Sequence, residues 1–403
     1  MRAGDAARSI EYIGGRCADA GEPAEKRLES GHMASGRTIP RARQRERDVR
    51  IAGAIERWFA AHARDLPWRR VGADGRRDAY RSLVSEFMLQ QTQVSRVAPA
   101  FERFVSRFPD VESLARAPVD EVVRMWEGLG YYRRARLVHG AAAAVVSEHG
   151  GRVPESVEGL RTLPGIGAYT AGSIASIVFG VRAPVVDANV RRVVVRIEGR
   201  EVEESPAAQD AWAWGRAESL VGAAHDPGVL NEGLMELGAL VCVPRSPRCE
   251  ACPVRGSCVA RKKGLQHSLP RPALRARRTS IVHQVVVIRD RAGRVLVEQR
   301  PREGMWGGLW QIFSRESQAP GLCAAELCAW AGVRGVESVG ALDRMTTHRA
   351  VRFEVFRAMG GTVKVRRAGA GQRWLDPEEA GEVAFSVPQR LILERHVVGA
   401  GDG

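Results

Sequence analysis

The chain has 403 residues, 61 Lys and Arg against 47 Asp and Glu, and a formal net charge of +14. That length holds two or three domains, and the arginine-rich surplus suits a polyanionic partner, nucleic acid being the obvious one. No apolar run approaches the roughly 18 residues of a membrane span, and no charged n-region precedes an apolar stretch, so neither a membrane partner nor a secretory route is expected. A cytoplasmic protein follows, nucleoid-associated in a bacterium.

Residues 1–45 are rich in Gly, Ala, Arg and Glu and are expected to be disordered. Their acids, Asp5, Glu11, Asp19 and Glu22, do not suit an organelle transit peptide. From Val49 to about Ala260 the pattern is helical. Ile51–Ala61 is amphipathic, Ser82–Gln93 opens on a serine cap, Asp120–Trp126 is capped by Asp120 and stopped by Gly128, and Ala135–Glu148 runs into Gly150 and Gly151. Residues 46–260 are therefore read as one all-α domain. Residues 261–278 are basic, contain two prolines and read as a linker. The texture then changes. Gln284–Asp290 and Arg294–Arg300 flank Arg291-Ala292-Gly293, a hairpin signal. Phe353–Met359 and Gly361–Val365 read as further strands and Ala324–Trp330 as a helix, so 279–398 should form an α+β domain, with 399–403 a tail.

Leu163-Pro164-Gly165-Ile166-Gly167-Ala168-Tyr169-Thr170 reads as a tight turn entering a helix. Gly165 and Gly167 let the backbone come close to a phosphate, and the amides of the following helix start point at it. Some twenty residues later Asp187 ends the apolar run Val185-Val186, at the N-cap position of a helix over Asn189–Ile197. Each motif alone has an ordinary reading, a turn and a cap. Together they resemble the helix-hairpin-helix-Gly-Pro-Asp superfamily of DNA glycosylases.

Cys242, Cys249, Cys252 and Cys258 are spaced C-x6-C-x2-C-x5-C. Four thiolates in so short a span wrap an ion or a cluster. Softness alone points to zinc, whereas the spacing resembles the [4Fe–4S] loop of endonuclease III and MutY-type glycosylases. Arg245, Arg248 and Arg255 stand between these cysteines, so the loop reads as a staple presenting cations to a DNA phosphate backbone rather than as a redox catalyst.

Glu86 lies inside an apolar helical run, where desolvation raises a carboxyl's pKa and makes it a proton donor near neutral pH. Its surroundings, Ser85-Glu86-Phe87-Met88-Leu89-Gln90-Gln91-Thr92-Gln93-Val94, are similar to a signature of MutY-type adenine DNA glycosylases, as are Trp126–Arg136 and Arg64-Asp65-Leu66-Pro67-Trp68-Arg69. The resemblance runs from about residue 50 to 260 and continues more weakly beyond. Endonuclease III needs a lysine nucleophile two residues after the second glycine of the hairpin. Tyr169 stands there and cannot form a Schiff base, which argues for a monofunctional hydrolase.

The resemblance implies hydrolysis of the N-glycosidic bond of adenine mispaired with 8-oxoguanine or guanine in double-stranded DNA, by a monomer. Glu86 would protonate adenine N7. Asp187, at a helix start, would stay ionised and stabilise the oxocarbenium-like sugar. Water would complete the reaction with Glu86 as base or after capture on Asp187. The base must leave the stack to be reached. Gln91 and Tyr131 match the family's inserting residues. Arg64, Trp68, Leu89 and Tyr169 match its adenine pocket, although Trp68 and Leu89 could equally be core. Asn189 would orient Asp187. The Gly165 and Gly167 amides would take a phosphate, with a monovalent or divalent cation as a further candidate there.

Glu298–Trp310 resembles the MutT-like domain of MutY proteins, which recognises 8-oxoguanine opposite the adenine. A Nudix pyrophosphatase needs a glutamate-rich helix after its glycine. None follows Gly308, so this domain should bind and not hydrolyse. Thr346-Thr347-His348 stands where the family often carries Phe-Ser-His, leaving Thr347 and His348 as lesion contacts without the aromatic ring. The two domains are free to stand apart until DNA closes them together. The alternatives are a bifunctional lyase for oxidised pyrimidines and a non-enzymatic iron–sulfur protein that binds mismatches.

Overall fold

Asp78 starts the helix that carries Glu86. Its carboxylate accepts the Arg81 amide at 2.9 Å, which places the helix start three residues before the expected serine cap. The computed structural model describes residues 41–73, 75–201, 205–271, 278–318, 320–346, 349–359 and 371–398. The expected disorder of 1–40, the strand at 361–365, Thr347, His348 and the 399–403 tail lie outside the described residues.

The first part is helical: α1 (Arg41–His62), α2 (Ala79–Leu89), α3 (Val94–Arg107), α4 (Val111–Arg116), α5 (Val119–Met125), α6 (Arg133–Glu148), α7 (Val157–Thr162), α8 (Ala168–Phe179), α9 (Ala188–Glu198), α10 (Pro206–Ala223), α11 (Pro227–Leu240) and the short α12 (Val259–Lys262). Helix α1 reaches back into the segment expected to be disordered. The Ser82 hydroxyl donates to the Asp78 carbonyl at 2.8 Å, so it sits inside the first turn of α2 and does not cap it. Helix α5 starts one residue early, at Val119 behind the N-cap Pro118, and Asp120 falls in its first turn, where an acid favours a helix start. Gly150 and Gly151 close α6 with φ of 58° and 77°.

Two apolar clusters organise these helices. One joins α2, α3, α5, α6 and α8 around Phe87, Phe101, Phe104, Phe108 and Trp126, all fully buried. The other joins α1, α9, α10 and α11 around Ile51, Ile55, Val190, Val194, Leu220 and Leu234. Glu86 sits beside Phe87 of the first and Asp187 between Val186 and Val190 of the second, so the candidate site lies on the seam where the two meet.

Close backbone approach fixes that seam. A Cβ on Gly172 of α8 would stand 2.4 Å from the Pro184 carbonyl oxygen. Asn231 of α11, fully buried, donates to the Ala183 carbonyl at 2.8 Å and to Ser176 Oγ at 2.9 Å. The extended segment leading to Asp187 is thereby held against both α8 and α11.

The second part carries a four-stranded sheet ordered β4-β1-β6-β5 and a three-stranded sheet ordered β3-β2-β7. The strands are β1 (Thr279–Val287), β2 (Val295–Gln299), β3 (Trp310–Ile312), β4 (Ser314–Gln318), β5 (Gly335–Met345), β6 (Arg349–Met359) and β7 (Gln372–Leu375), with α13 (Ala324–Ala331) and α14 (Val387–Leu393). Strands β1 and β6 are parallel, with Val285 opposite Val355, and the other pairings are antiparallel. The expected hairpin turn is present, bridged from Arg289 to Val295, with Gly293 at φ 81°. Its two strands then diverge into different sheets.

The helical and strand-rich parts belong to one compact unit, Ala42–Gly403, and they are not apart. Arg390 of α14 makes two bonds to the Glu127 carboxylate, at 2.9 and 3.0 Å. Arg136 donates to the Gly307 carbonyl at 3.0 Å, and Leu309 is buried in the first helical cluster. These part-buried polar contacts and the buried Leu309 join the two parts.

Candidate active site

Glu86 is 8% exposed, on the face of α2 that meets α8. Ser173 of α8 donates to its Oε1 at 2.9 Å, and Oε2 is buried with no hydrogen-bond partner among the described residues. Burial pushes this carboxyl up to about 7, against the lowering effect of Ser173, and the charges of Glu232 and Asp187 push the same way as burial. A buried, partnerless oxygen on a group that holds its proton near neutrality is poised to donate to whatever enters.

Asp187 is the N-cap of α9, as its place in the sequence implies. Its Oδ1 accepts the Val190 amide at 2.7 Å and its Oδ2 accepts Asn189 Nδ2 at 2.9 Å. Arg192, one turn on, donates to Asn189 Oδ1 at 2.8 Å and to the Cys242 carbonyl at 2.7 Å. The hydroxyl of Tyr169, on the first turn of α8, donates to the Met235 thioether Sδ at 3.3 Å. Burial raises Tyr169 well above the usual phenol range, and the charges of Glu86 and Asp187 add to this. The three expected site residues therefore share one electrostatic neighbourhood, with a phenol where a lyase would need an amine.

Arg64 is not a free cation. Its backbone amide, Nε and Nη2 all donate to Glu236, at 3.0, 2.8 and 2.7 Å. Arg69 bridges Glu232 and Glu236, and Arg77 reaches Glu232 at 2.9 Å. Burial alone would raise Glu236, but hydrogen bonds from Arg64 and Arg69 hold it at about 2. This five-residue ion network clamps the Arg64–Arg69 segment to α11. Its trace in the sequence, Glu232 and Glu236 one turn apart in α11, does not say which cations they meet. Trp68 is buried edge-on to Phe101, with ring centroids 5.6 Å apart, and Leu89 is half-buried against the same cluster.

Gln91 and Tyr131 both adopt left-handed backbone, φ 55° and 46°, and both are exposed. Gly165 has φ 79°, and a Cβ there would lie 2.9 Å from that of Leu137, so this glycine serves the turn and its packing. Gly167 is the N-cap of α8, and a Cβ on it would meet nothing within 4 Å, which leaves the helix start open to solvent.

Arg196 of α9 holds the cysteine loop through the carbonyls of Cys242, Val243 and Pro244. Burial pushes Cys252 up to about 12, and the charges of Cys242, Cys258 and Cys249 act in the same direction. Burial also raises Cys249 and Cys258, and soft thiol donors grouped on one short loop fit a cationic cluster that shares their charge. Cys242, Cys249, Cys252 and Cys258 would hold it. Among the described residues, no three Cys, His, Asp or Glu side chains are placed to hold a single metal ion. Arg245 and Arg248 are exposed, whereas Arg255 bonds the Glu250 carbonyl at 3.0 Å.

Residues 84–216 match the HhH-GPD superfamily of base excision DNA repair proteins, residues 242–258 the iron–sulfur binding domain of endonuclease III, and residues 284–395 the NUDIX domain. Fold and site thus define a base-excision DNA repair glycosylase with a [4Fe–4S] cluster and a Nudix-like second part. The adenine DNA glycosylase of Homo sapiens is 33% identical over 401 residues, covering 85% of this chain and 73% of that protein. The adenine DNA glycosylase of Mycolicibacterium smegmatis is 46% identical over 202 residues, 49% of this chain and 65% of that one. The solved structure of a thermostable thymine-DNA glycosylase aligns at 30% identity and a TM-score of 0.49, over 55% of this chain and 99% of that one. The chain belongs to the adenine DNA glycosylase, or MutY, family, and DNA is its partner. No helix among the described residues is long and apolar enough to cross a membrane.

Proposed function

We propose that the protein removes adenine mispaired with 8-oxoguanine or guanine, as a monomer and without strand cleavage, with Glu86 as acid and Asp187 as electrostatic partner. The observation that carries this is the buried, partnerless Oε2 of Glu86 on the seam shared with Asp187. Glu86 gives its proton to adenine N7. The C1′–N9 bond then breaks with its electron pair going to the base. Asp187 faces the positive charge that develops on the sugar, where a fixed carboxylate is worth most. Water adds its oxygen to C1′, with its proton going to the Glu86 carboxylate, or else Asp187 captures the sugar first and water releases it.

Around this pair, the exposed Gln91 and Tyr131 enter the duplex where the adenine leaves it. The open helix start at Gly167, with the turn at Gly165, takes a backbone phosphate and could seat a cation. Arg245 and Arg248 add phosphate contacts from the cluster loop. Arg64, Trp68, Leu89 and Tyr169 shape the side of the base pocket, and Asn189 orients Asp187. The strand-rich part, with Thr347 and His348, reads the opposite base. Its docking onto the segment that bears Tyr131 supports this role. We assign 46–260 and 279–398 as the two domains, joined by a linker over 261–278.

Single-turnover excision on duplexes carrying adenine opposite 8-oxoguanine, guanine and thymine, and on one carrying thymine glycol, tests the proposal. Fast loss opposite 8-oxoguanine, slower loss opposite guanine and none opposite thymine is expected. A borohydride-trapped adduct, or cleavage at thymine glycol, would instead favour a lyase.

A further inference from the structure

Gln91 and Tyr131 hold a left-handed conformation that is unfavourable for a side-chain-bearing residue and persists only where the surroundings impose it. Both side chains are exposed. The cause lies beneath them. Arg134, on the first turn of α6, is 5% exposed. Its Nη1 donates to the carbonyls of Phe87 at 2.8 Å, of Met88 at 2.9 Å and of Gln90. Its Nη2 donates to Thr92 Oγ1 at 2.9 Å and to the carbonyls of Gly130 at 3.1 Å and Leu129 at 3.2 Å. The guanidinium also lies 5.7 Å from the Tyr131 ring centroid and 5.6 Å from that of Trp126. Thr92 Oγ1 closes the junction by donating to the Leu129 carbonyl at 3.3 Å.

Five carbonyls and one hydroxyl, from two loops forty residues apart in the chain, therefore converge on one planar cation. Three of the carbonyls belong to the C-terminal end of α2, which carries the negative end of the helix dipole. Nη1 and Nη2 are met by backbone carbonyls and one hydroxyl, whereas Nε is buried with no hydrogen-bond partner among the described residues, so the geometry of the fork is dictated by the two loops.

We propose that Arg134 is a positioning residue that sets the two DNA-probing loops, at Gln91 and at Tyr131, as one rigid unit before DNA arrives. The inference rests on the reading that Gln91 and Tyr131 enter the duplex. It adds that their spacing is fixed by a shared side chain and is not assembled on the DNA. Only a flat fork with donors on both nitrogens spans both loops, so lysine should be a poor replacement.

The test is a cycle of variants in the full-length protein. Single-turnover excision would be measured together with the fluorescence of 2-aminopurine placed beside the target adenine, which reports unstacking. Arg134→Lys should slow excision by about ten- to a hundred-fold and reduce the unstacking signal, as a small misplacement of positioning groups does. Thr92→Val, which removes one of the six partners with little change of volume, should shift both readouts in the same direction by less and remains available if the arginine variant does not fold. In a Gln91→Ala/Tyr131→Ala background, Arg134→Lys should add almost nothing. If instead its loss multiplies undiminished onto that background, or if Arg134→Lys excises and unstacks like the parent while the double variant is impaired, the clamp is overturned and the insertion reading survives. If the double variant itself excises and unstacks normally, the insertion reading falls, and the clamp falls with it.

Discussion

Glu86 sits in the middle of a helix among apolar neighbours, with one oxygen on Ser173 and the other unpartnered. Asp187 sits at the start of a helix, half-buried, with a backbone amide on one oxygen and an amide side chain on the other. The same functional group is thus given no room for charge in one place and a ready seat for charge in the other. In the proposed mechanism it is the difference between the sites, rather than either carboxylate alone, that would make an acid and an electrostatic stabiliser from two residues of one chemistry.

Exchanging the character of each group tests this contrast. Glu86→Gln should reduce excision by about 10³- to 10⁴-fold, within the usual range for loss of a general acid, while a gel-shift assay shows lesion DNA still bound. Excision within tenfold of the parent would remove Glu86 from the acid role. Asp187→Asn should cost about 10²- to 10³-fold, because asparagine caps α9 as aspartate does but brings no charge to the developing cation. An unchanged melting temperature with a slow single-turnover rate is the expected pair of results.

The contrast also has a stability side. The folded Glu86 carboxyl is raised to about 7 from the ordinary carboxylate range. A raised pKa means that its contribution is intact below the unfolded value and is lost as pH climbs through the folded one. Glu86→Gln, which never ionises, should therefore gain on the parent by about 3 kcal/mol between pH 5 and pH 9 in denaturant titrations. A constant difference across that range would mean that the carboxyl is not proton-bearing when folded. Cys249→Ser probes the other end of α9. It should lose the visible chromophore and weaken DNA binding about tenfold, in line with removing a few phosphate contacts, while leaving the pH dependence of excision in place. An unaltered spectrum would contradict the cluster assignment.

Asp187 was legible in the sequence because a cap is a local event: an apolar run, an acid and a helix follow one another in a few residues. Glu86 was legible as a carboxyl in an apolar helix, but its orphan oxygen and Ser173 depend on a helix 87 residues away. The Arg64, Arg69, Arg77, Glu232 and Glu236 network was not legible, because each pair is separated by more than 150 residues. Nor was the backbone of Gln91 and Tyr131, since residues with full side chains do not advertise a positive φ. Helix starts were misplaced where a better cap stood just upstream, as Asp78 does before Ser82. Strand β5 escaped notice because its residues are exposed or half-buried throughout and show no clean apolar alternation. Strand β7 was too short to register.

The pH dependence of single-turnover excision opposite 8-oxoguanine, with enzyme in excess over DNA, tests the proton on Glu86 most directly. The account predicts a rate that is highest below neutrality and falls about tenfold per unit above pH 7, as the acid form is lost. A rate that stays level through pH 9 would show that the proton reaching adenine does not come from Glu86.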